Sequence, residues 1–510
     1  MKNLNKIIIS FGALILLNSS CTKLDEELYG SRYVDDGGAV SEADLNGVYT
    51  QLNGFSDQAN LYALLEHPTD EMLGPTRGTD WDDFGIWRKL HQHTWDPTHG
   101  HVFEAWNQLN TGVFRATSVI ERTTDNQIKA EASFLRAFFM FYIVDLYGQA
   151  PFRNPEDSPE TNPRVMNRQE ATDFIIEDLK FAEANLTNGT PGRATKEATQ
   201  FLLAKVYLNK AVYFQDPATP AGPFTFSQED MNQVITYSNA VINSGKFQLA
   251  GNYYDNFKWD NTTASRELIF VRENTAGESQ NANAENRTRM VLHYNNTPDG
   301  WNGFTTLADF YNSYEDGDQR KYSAIDQESF TARTGLNAGF LAGQAFGPNA
   351  TPLKDRSGQP LIFTPDVNIN YATEAQGIRA IKYPLNPGNF SQSGNDYVFF
   401  RYADLLLMKA EAILRGGVDP MGQTPLSIVN QIRTLRNASP VTVVDLETML
   451  AERGRELYWE GWRRNDLIRF EKFNDPVDQR PTESPATRVV FPIPQRAVDT
   501  NPNLTQNAGY

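Results

Sequence analysis

Cysteine is almost absent from this chain: of 510 residues only Cys21 carries a thiol. One cysteine excludes any intrachain disulfide framework and any multi-cysteine zinc or iron–sulfur site. Runs of Lys and Arg are missing too, and 63 Asp and Glu outnumber 46 Lys and Arg, for a net charge of −17. A nucleic-acid binder needs a basic footprint to neutralise phosphates, so that class is set aside. No segment supplies the roughly 20 consecutive apolar residues of a membrane-spanning helix. Aromatics, by contrast, are plentiful at 12% of the chain, too many for a disordered acidic polymer. The chain reads as a folded body of one large or two ordinary domains.

The first twenty residues read as a signal peptide. Lys2 and Lys6 precede the eleven-residue apolar run Ile7 to Leu17, and Asn18-Ser19-Ser20-Cys21 follows. A positive start, a short apolar stretch and small residues make a secretory signal. A lone thiol at the cleavage point is the acceptor expected of a bacterial lipoprotein, with Cys21 as the lipid attachment. The pattern departs from the usual one in having Asn18, not Leu, three residues before the cysteine.

Helical periodicity dominates the first half. Val102, Phe103, Trp106, Leu109, Val113, Phe114, Thr117 and Ile120 recur at spacings of three and four. From Ile128 to Tyr147 almost no polar face remains, which predicts a helix buried between others. Further helices are expected at 168–186, 195–214 and 228–243, the last capped by Ser227 with Asp230 three residues on. Consecutive helices of this length suggest stacked hairpins of the tetratricopeptide type. Residues 250–400 are rich in Asn, Gly, Thr and Pro and read as long loops with short strands. Helix returns at 402–415, 426–436 and 446–473, before an extended Pro-punctuated tail. The expected fold class is therefore mostly α, a helical-hairpin scaffold carrying a large irregular half.

Four blocks resemble the SusD/RagB family of outer-membrane lipoproteins. They are Glu131–Pro151 (EASFLRAFFMFYIVDLYGQAP), Phe400–Ala412 (FRYADLLLMKAEA), Glu452–Arg469 (ERGRELYWEGWRRNDLIR), and the C-terminal FPIP of 491–494 with NPNLTQNAGY of 501–510. The acidic stretch Lys23-Leu-Asp-Glu-Glu27 is similar to the family's surface-export signal. The resemblance implies a tetratricopeptide-like scaffold, with an N-terminal region over 21–225 and a C-terminal region over 265–510 forming one unit. It implies a lipid-anchored protein of the cell outer membrane, exposed at the surface. Such a protein would capture an oligosaccharide, or alternatively an oligopeptide, and pass it to a SusC-like TonB-dependent transporter, without catalysis, cofactor or metal.

Four of the eight tryptophans, Trp81, Trp87, Trp95 and Trp106, fall within 26 residues. Trp106 lies on the helix stripe and is expected in the core. Trp81 stands in a loop with Gly and three acids, where a rigid aromatic plate flanked by carboxylates suits a sugar. A second cluster, His293 to Trp301, contains the Pro, Asp and Gly of a turn. The family resemblance implies a ligand site built from an N-terminal loop aromatic and aromatics of this later loop, so the expected stacking platform is Trp81 with Trp301, and Tyr294 beside them. Asp70, Asp80, Asn302 and Arg379 are expected polar contacts. On this reading Trp81→Ala or Trp301→Ala weakens glycan binding strongly and leaves the melting temperature nearly unchanged.

Two rival readings arise. His91, His93, His99 and His101 form two His-x-His pairs that would share a face on strands and could hold a metal. The alternative is a hydrogen-bonded loop. A secreted glycoside hydrolase would need two carboxylates roughly 5–10 Å apart across the sugar. Asp82-Asp83 is nominally available, but adjacent residues rarely converge on one bond. The acids and bases of 452–469 are expected to form i,i+3 and i,i+4 pairs around Trp459 and Trp462.

Overall fold

The computed structural model describes residues 40–510, except 159, 188, 278–281 and 324–329. The signal peptide and Cys21 lie outside the described residues.

The helices are numbered here as α1 (Glu42–Tyr49), α2 (Asn60–Glu66), α3 (Gly100–Arg122), α4 (Asn126–Tyr147), α5 (Arg168–Asn185), α6 (Lys196–Tyr213) and α7 (Gln228–Asn243), then α8 (Tyr402–Leu414), α9 (Pro425–Leu435), α10 (Leu446–Leu457) and α11 (Arg463–Arg469). From α3 to α7 each packs on the next, and α7 then packs on α8, which also meets α9 and α10. That is the stacked-hairpin scaffold the periodicity predicts. In α4 every residue from Ala130 to Tyr147 is buried, as a helix without a polar face must be. The start of α7 is capped as expected, with the Ser227 hydroxyl accepting from the Asp230 amide at 3.1 Å.

The irregular half holds short antiparallel ladders. Strands β1 (Leu268–Arg272), β2 (Tyr322–Ser323), β3 (Ala338–Leu341), β4 (Gly343–Gln344), β5 (Ile362–Phe363), β6 (Arg379–Ile381) and β7 (Tyr397–Arg401) pair as β7–β1, β6–β3–β2 and β4–β5. Strand β7 runs directly into α8, so the scaffold and the irregular half are joined by a continuous buried segment.

One expected helix is two. The chain breaks between Leu457 and Arg463, where Trp459 takes φ +59° and Gly461 φ +81°. A left-handed residue ends a right-handed helix, and Gly461 supplies one without steric cost. The expected local charge pairs are consequently a minor part of what forms. Glu456 binds Arg320, Arg401 and Arg436 at 2.7–3.1 Å, partners from three distant segments. Arg469 chelates Glu411 at 2.7 and 2.8 Å, and Arg464 reaches Asp145 at 2.7 Å. These ion pairs are buried, and they stitch the C-terminal block to both halves.

Candidate functional site

One loop of the first half and two of the irregular half are laced together by main-chain bonds. Leu73 and Thr305 exchange hydrogen bonds at 2.8 and 2.9 Å. The Thr76 amide donates to Ile369 at 3.0 Å, and its carbonyl accepts from Ala372 at 2.8 Å. Thr306 donates to Ile378 at 3.0 Å. Arg77 locks the junction from below, with its guanidinium donating to the carbonyls of Gly303 and Thr373. Residues 67–85, 290–306 and 364–379 thus form one braced surface.

Trp81 sits at its centre, half-buried, with its ring 4.7 Å from Phe304 and 5.7 Å from Trp87, centroid to centroid. Its indole N–H donates to the Trp301 carbonyl at 2.9 Å. The two predicted tryptophans are therefore brought together, one bonded to the backbone of the other. Close approach here requires a glycine: a Cβ on Gly303 would stand 2.5 Å from the Trp81 ring. Tyr294 is also half-buried and donates its hydroxyl to Asp80. Burial, and then that bond to Asp80, push the Tyr294 hydroxyl up to about 12, so it remains a donor. The Arg356 guanidinium lies 4.0 Å from the Tyr294 ring centroid and pairs with Glu374.

The other predicted polar contacts are placed differently. Asp70 is bound at 2.7 Å by two nitrogens of Arg463, and it lines a separate cleft of about 230 Å³ with Phe310 and Asp478. Burial alone would raise its carboxyl, but Arg463 reverses this and holds it low. Arg379 is fully buried, donating to Asn302 at 2.7 Å and to the carbonyls of Glu374, Gln376 and Gly377. Asn302 is equally buried, with φ +51°. These three residues brace loops. The sequence places them near the ligand because polarity and turn chemistry do not distinguish a brace from a contact.

Two exposed aromatics are absent from the expected contacts. Phe84 is 97% exposed and Tyr371 73% exposed. Phe84 belongs to a run of left-handed backbone, with Trp81 at φ +61°, Asp83 at +38°, Phe84 at +55° and Gly85 at +75°. Each such non-glycine residue costs on the order of 1–3 kcal/mol, and such strain concentrates at binding sites. Tyr371 lies on the bend between Ile369 and Ala372, both of which bond the Thr76 main chain. A signal for Phe84 does exist, since an apolar ring flanked by Asp82, Asp83 and Gly85 is hard to bury.

The histidines build the base of the loop. His91 closes a short helix and bonds the carbonyls of His67 and Asp478 at 3.3 and 2.8 Å. His93 bonds Pro68 at 2.9 Å, His99 bonds Ile86 at 3.0 Å, and His101 bonds the Asn60 side chain at 3.1 Å. None stands on a strand, and among the described residues no three His, Cys, Asp or Glu form a metal-holding group. Burial drives His91 down to about 4 and His101 to about 3, so both are neutral at pH 7. Asp82 is paired with Arg88 at 2.9 Å, and Asp83 accepts the Trp87 indole N–H at 2.7 Å. Each of these adjacent carboxylates is thus held by a different neighbour.

Comparison with known proteins agrees with this architecture. The SusD family model matches residues 358–510, and a model described as "Starch-binding associating with outer membrane" matches residues 39–208. The starch-binding protein SusD of Bacteroides thetaiotaomicron is 26% identical, over 93% of this chain and 89% of that protein. A SusD superfamily structure from Parabacteroides distasonis superposes with a TM-score of 0.70 at 20% identity, covering 92% of this chain and 98% of the other. A laminarin-binding SusD-like protein gives a TM-score of 0.66 at 20% identity, with coverages of 92% and 98%. With SusD and SusD-like models matching both ends, together more than half of its length, the chain belongs to the SusD family.

Proposed function

We propose that this chain is a surface-exposed, lipid-anchored glycan-binding protein that captures oligosaccharides and passes them to a SusC-like TonB-dependent transporter. The observation that carries the binding reading is the braced aromatic surface: exposed Phe84 and Tyr371 on the same laced loops as half-buried Trp81, with Tyr294, Asp80 and Arg356 as polar groups around it. Flat rings take the C–H faces of sugars, and hydroxyls and carboxylates bond their rims. The starch- and laminarin-binding relatives support the same reading. Charge narrows it to a neutral glycan. Arg88, Arg289 and Arg356 are each already paired with an acid, which leaves these guanidiniums committed rather than open to a uronate or sulfate.

Phe84→Ala and Tyr371→Ala are each expected to weaken binding of laminarin or amylopectin roughly tenfold, measured by calorimetry. Their unfolding free energies should stay within about 0.5 kcal/mol of wild type, because both rings face solvent. Wild-type affinity in both variants would move the platform elsewhere. For the anchor, Cys21→Ala is expected to shift the protein from the membrane pellet to the soluble fraction. An unchanged pellet would contradict acylation at that residue.

A further inference from the structure

A second cleft, sharing no lining residue with the aromatic surface above, opens between β2, β3 and β4. Its volume of about 400 Å³ lies within the range of small-ligand sites, roughly 300–1,000 Å³. Buried Phe340 forms part of its floor. On its walls stand Tyr322 and Phe346, 53% and 38% exposed. An exposed aromatic pair over an apolar floor is uncommon in a surface that binds nothing.

The polar groups of this cleft are fixed. The Gln344 amide nitrogen donates to the carbonyls of Ala345, Leu353 and Leu361 at 2.8, 2.9 and 3.3 Å. This locks the side chain and leaves its amide oxygen as an acceptor. Asn337 accepts from the Thr331 hydroxyl at 3.3 Å, which leaves its NH₂ as a donor. At the mouth, Asp316 and Lys321 neutralise each other at 3.0 Å. A site with aromatic plates, one held acceptor, one held donor and no net charge matches a neutral sugar better than a peptide or an anion.

We propose that this cleft is a second binding site for the same neutral polysaccharide, with Tyr322 and Phe346 as its stacking rings. The proposal rests on the glycan-binding reading above and extends it to a separate place. The two sites are joined through one segment: β4 and β5 line the cleft, while Arg356, between them, faces the first site, and the Lys354 carbonyl accepts from Asn295 at 2.8 Å. A polymer held at one site is therefore at raised local concentration at the other, an advantage that a short oligosaccharide lacks.

The experiment is affinity electrophoresis of the mature protein in gels containing laminarin or amylopectin, with calorimetry on short oligosaccharides cut from whichever polymer retards it. The Tyr322→Ala, Phe346→Ala double variant is expected to lose polymer retardation roughly tenfold while keeping its short-oligosaccharide affinity at the first site. The Phe84→Ala, Tyr371→Ala variant should retain weak polymer retardation that disappears when all four rings are removed. Polymer binding equal to wild type in the cleft variant overturns the second site. Retardation that survives loss of all four rings overturns it too. Loss in the cleft variant with none in the Phe84, Tyr371 variant keeps the cleft and removes the first site. A wild type that neither polymer retards overturns both.

Discussion

Arg401→Leu is expected to cost about 3–5 kcal/mol of folding stability, a large share of the roughly 5–15 kcal/mol that holds a typical native state. The residue is buried where β7 passes into α8, and it meets three carboxylates: Glu267 at 2.8 Å, Glu456 at 2.7 Å and Glu460 at 2.7 Å. Taking ions out of water is costly, and removing one partner leaves the others charged with less to hold them. Compensation is partial, because Glu460 keeps Lys382 at 2.8 Å and Glu456 keeps Arg436 and Arg320. Arg401→Lys should rescue little, since one ammonium cannot span three carboxylates as a guanidinium fork does. Urea unfolding at pH 7 measures it, and a loss under about 1 kcal/mol would mean the network is a bystander. The same network sets an acid limit. Burial alone would raise Glu452, but Arg320, Arg455 and Arg433 bring it down to about 2. A carboxyl depressed in the fold stabilises above its unfolded value near 4.5 and loses that contribution as pH falls toward 2. Glu456, which burial would raise but Arg436, Arg401 and Arg320 hold far below the usual carboxylate range, follows the same rule, so the Arg401→Leu deficit should shrink when unfolding is repeated in acid.

Gly303→Val is expected to abolish most glycan binding, on the order of a hundredfold, while touching no ligand itself. The added Cβ would lie 2.5 Å from the Trp81 ring and 2.8 Å from the Met290 carbonyl, so the indole must leave Phe304 and give up its bond to Trp301. Trp81→Ala tests the same position from the other side. The sequence expectation of a nearly unchanged melting temperature does not survive the structure, because the ring packs on Trp87 and Phe304. Losing a half-buried indole should lower stability by roughly 2 kcal/mol. Calorimetry beside urea titration separates the two effects. If Gly303→Val binds laminarin and amylopectin as wild type does, Trp81 is a structural pin and the exposed rings act alone.

The helices were legible because their information is local. The stripe from Val102 to Ile120, the all-round apolarity of α4 and the Ser227 cap each predict their element from neighbouring residues. The break at Trp459 and Gly461 was not, since a glycine between two tryptophans in a helical pattern is ambiguous until tertiary partners are known. Long-range pairing was equally hidden. Asp70 and Arg463 stand 393 residues apart, and nothing in either neighbourhood names the other. Trp81, Trp301, Tyr294 and Asp80 were singled out by their company of loop residues, and the structure bonds Trp81 to Trp301 and Tyr294 to Asp80. Arg379 and Asn302 look the same in sequence and turned out to be interior. Tyr371 lacked any mark, because its exposure is decided by the main-chain pairing of 369–372 with Thr76.

The lacing of the three loops by main-chain bonds has an evolutionary consequence. Amide-to-carbonyl ties such as Leu73–Thr305 and Thr76–Ala372 do not depend on which side chains hang beyond them. Phe84 and Tyr371 can therefore be exchanged with little disturbance to the mount that carries them. A lineage meeting a new polysaccharide would need to refit only the tips, on a frame whose shape is already settled before any sugar arrives.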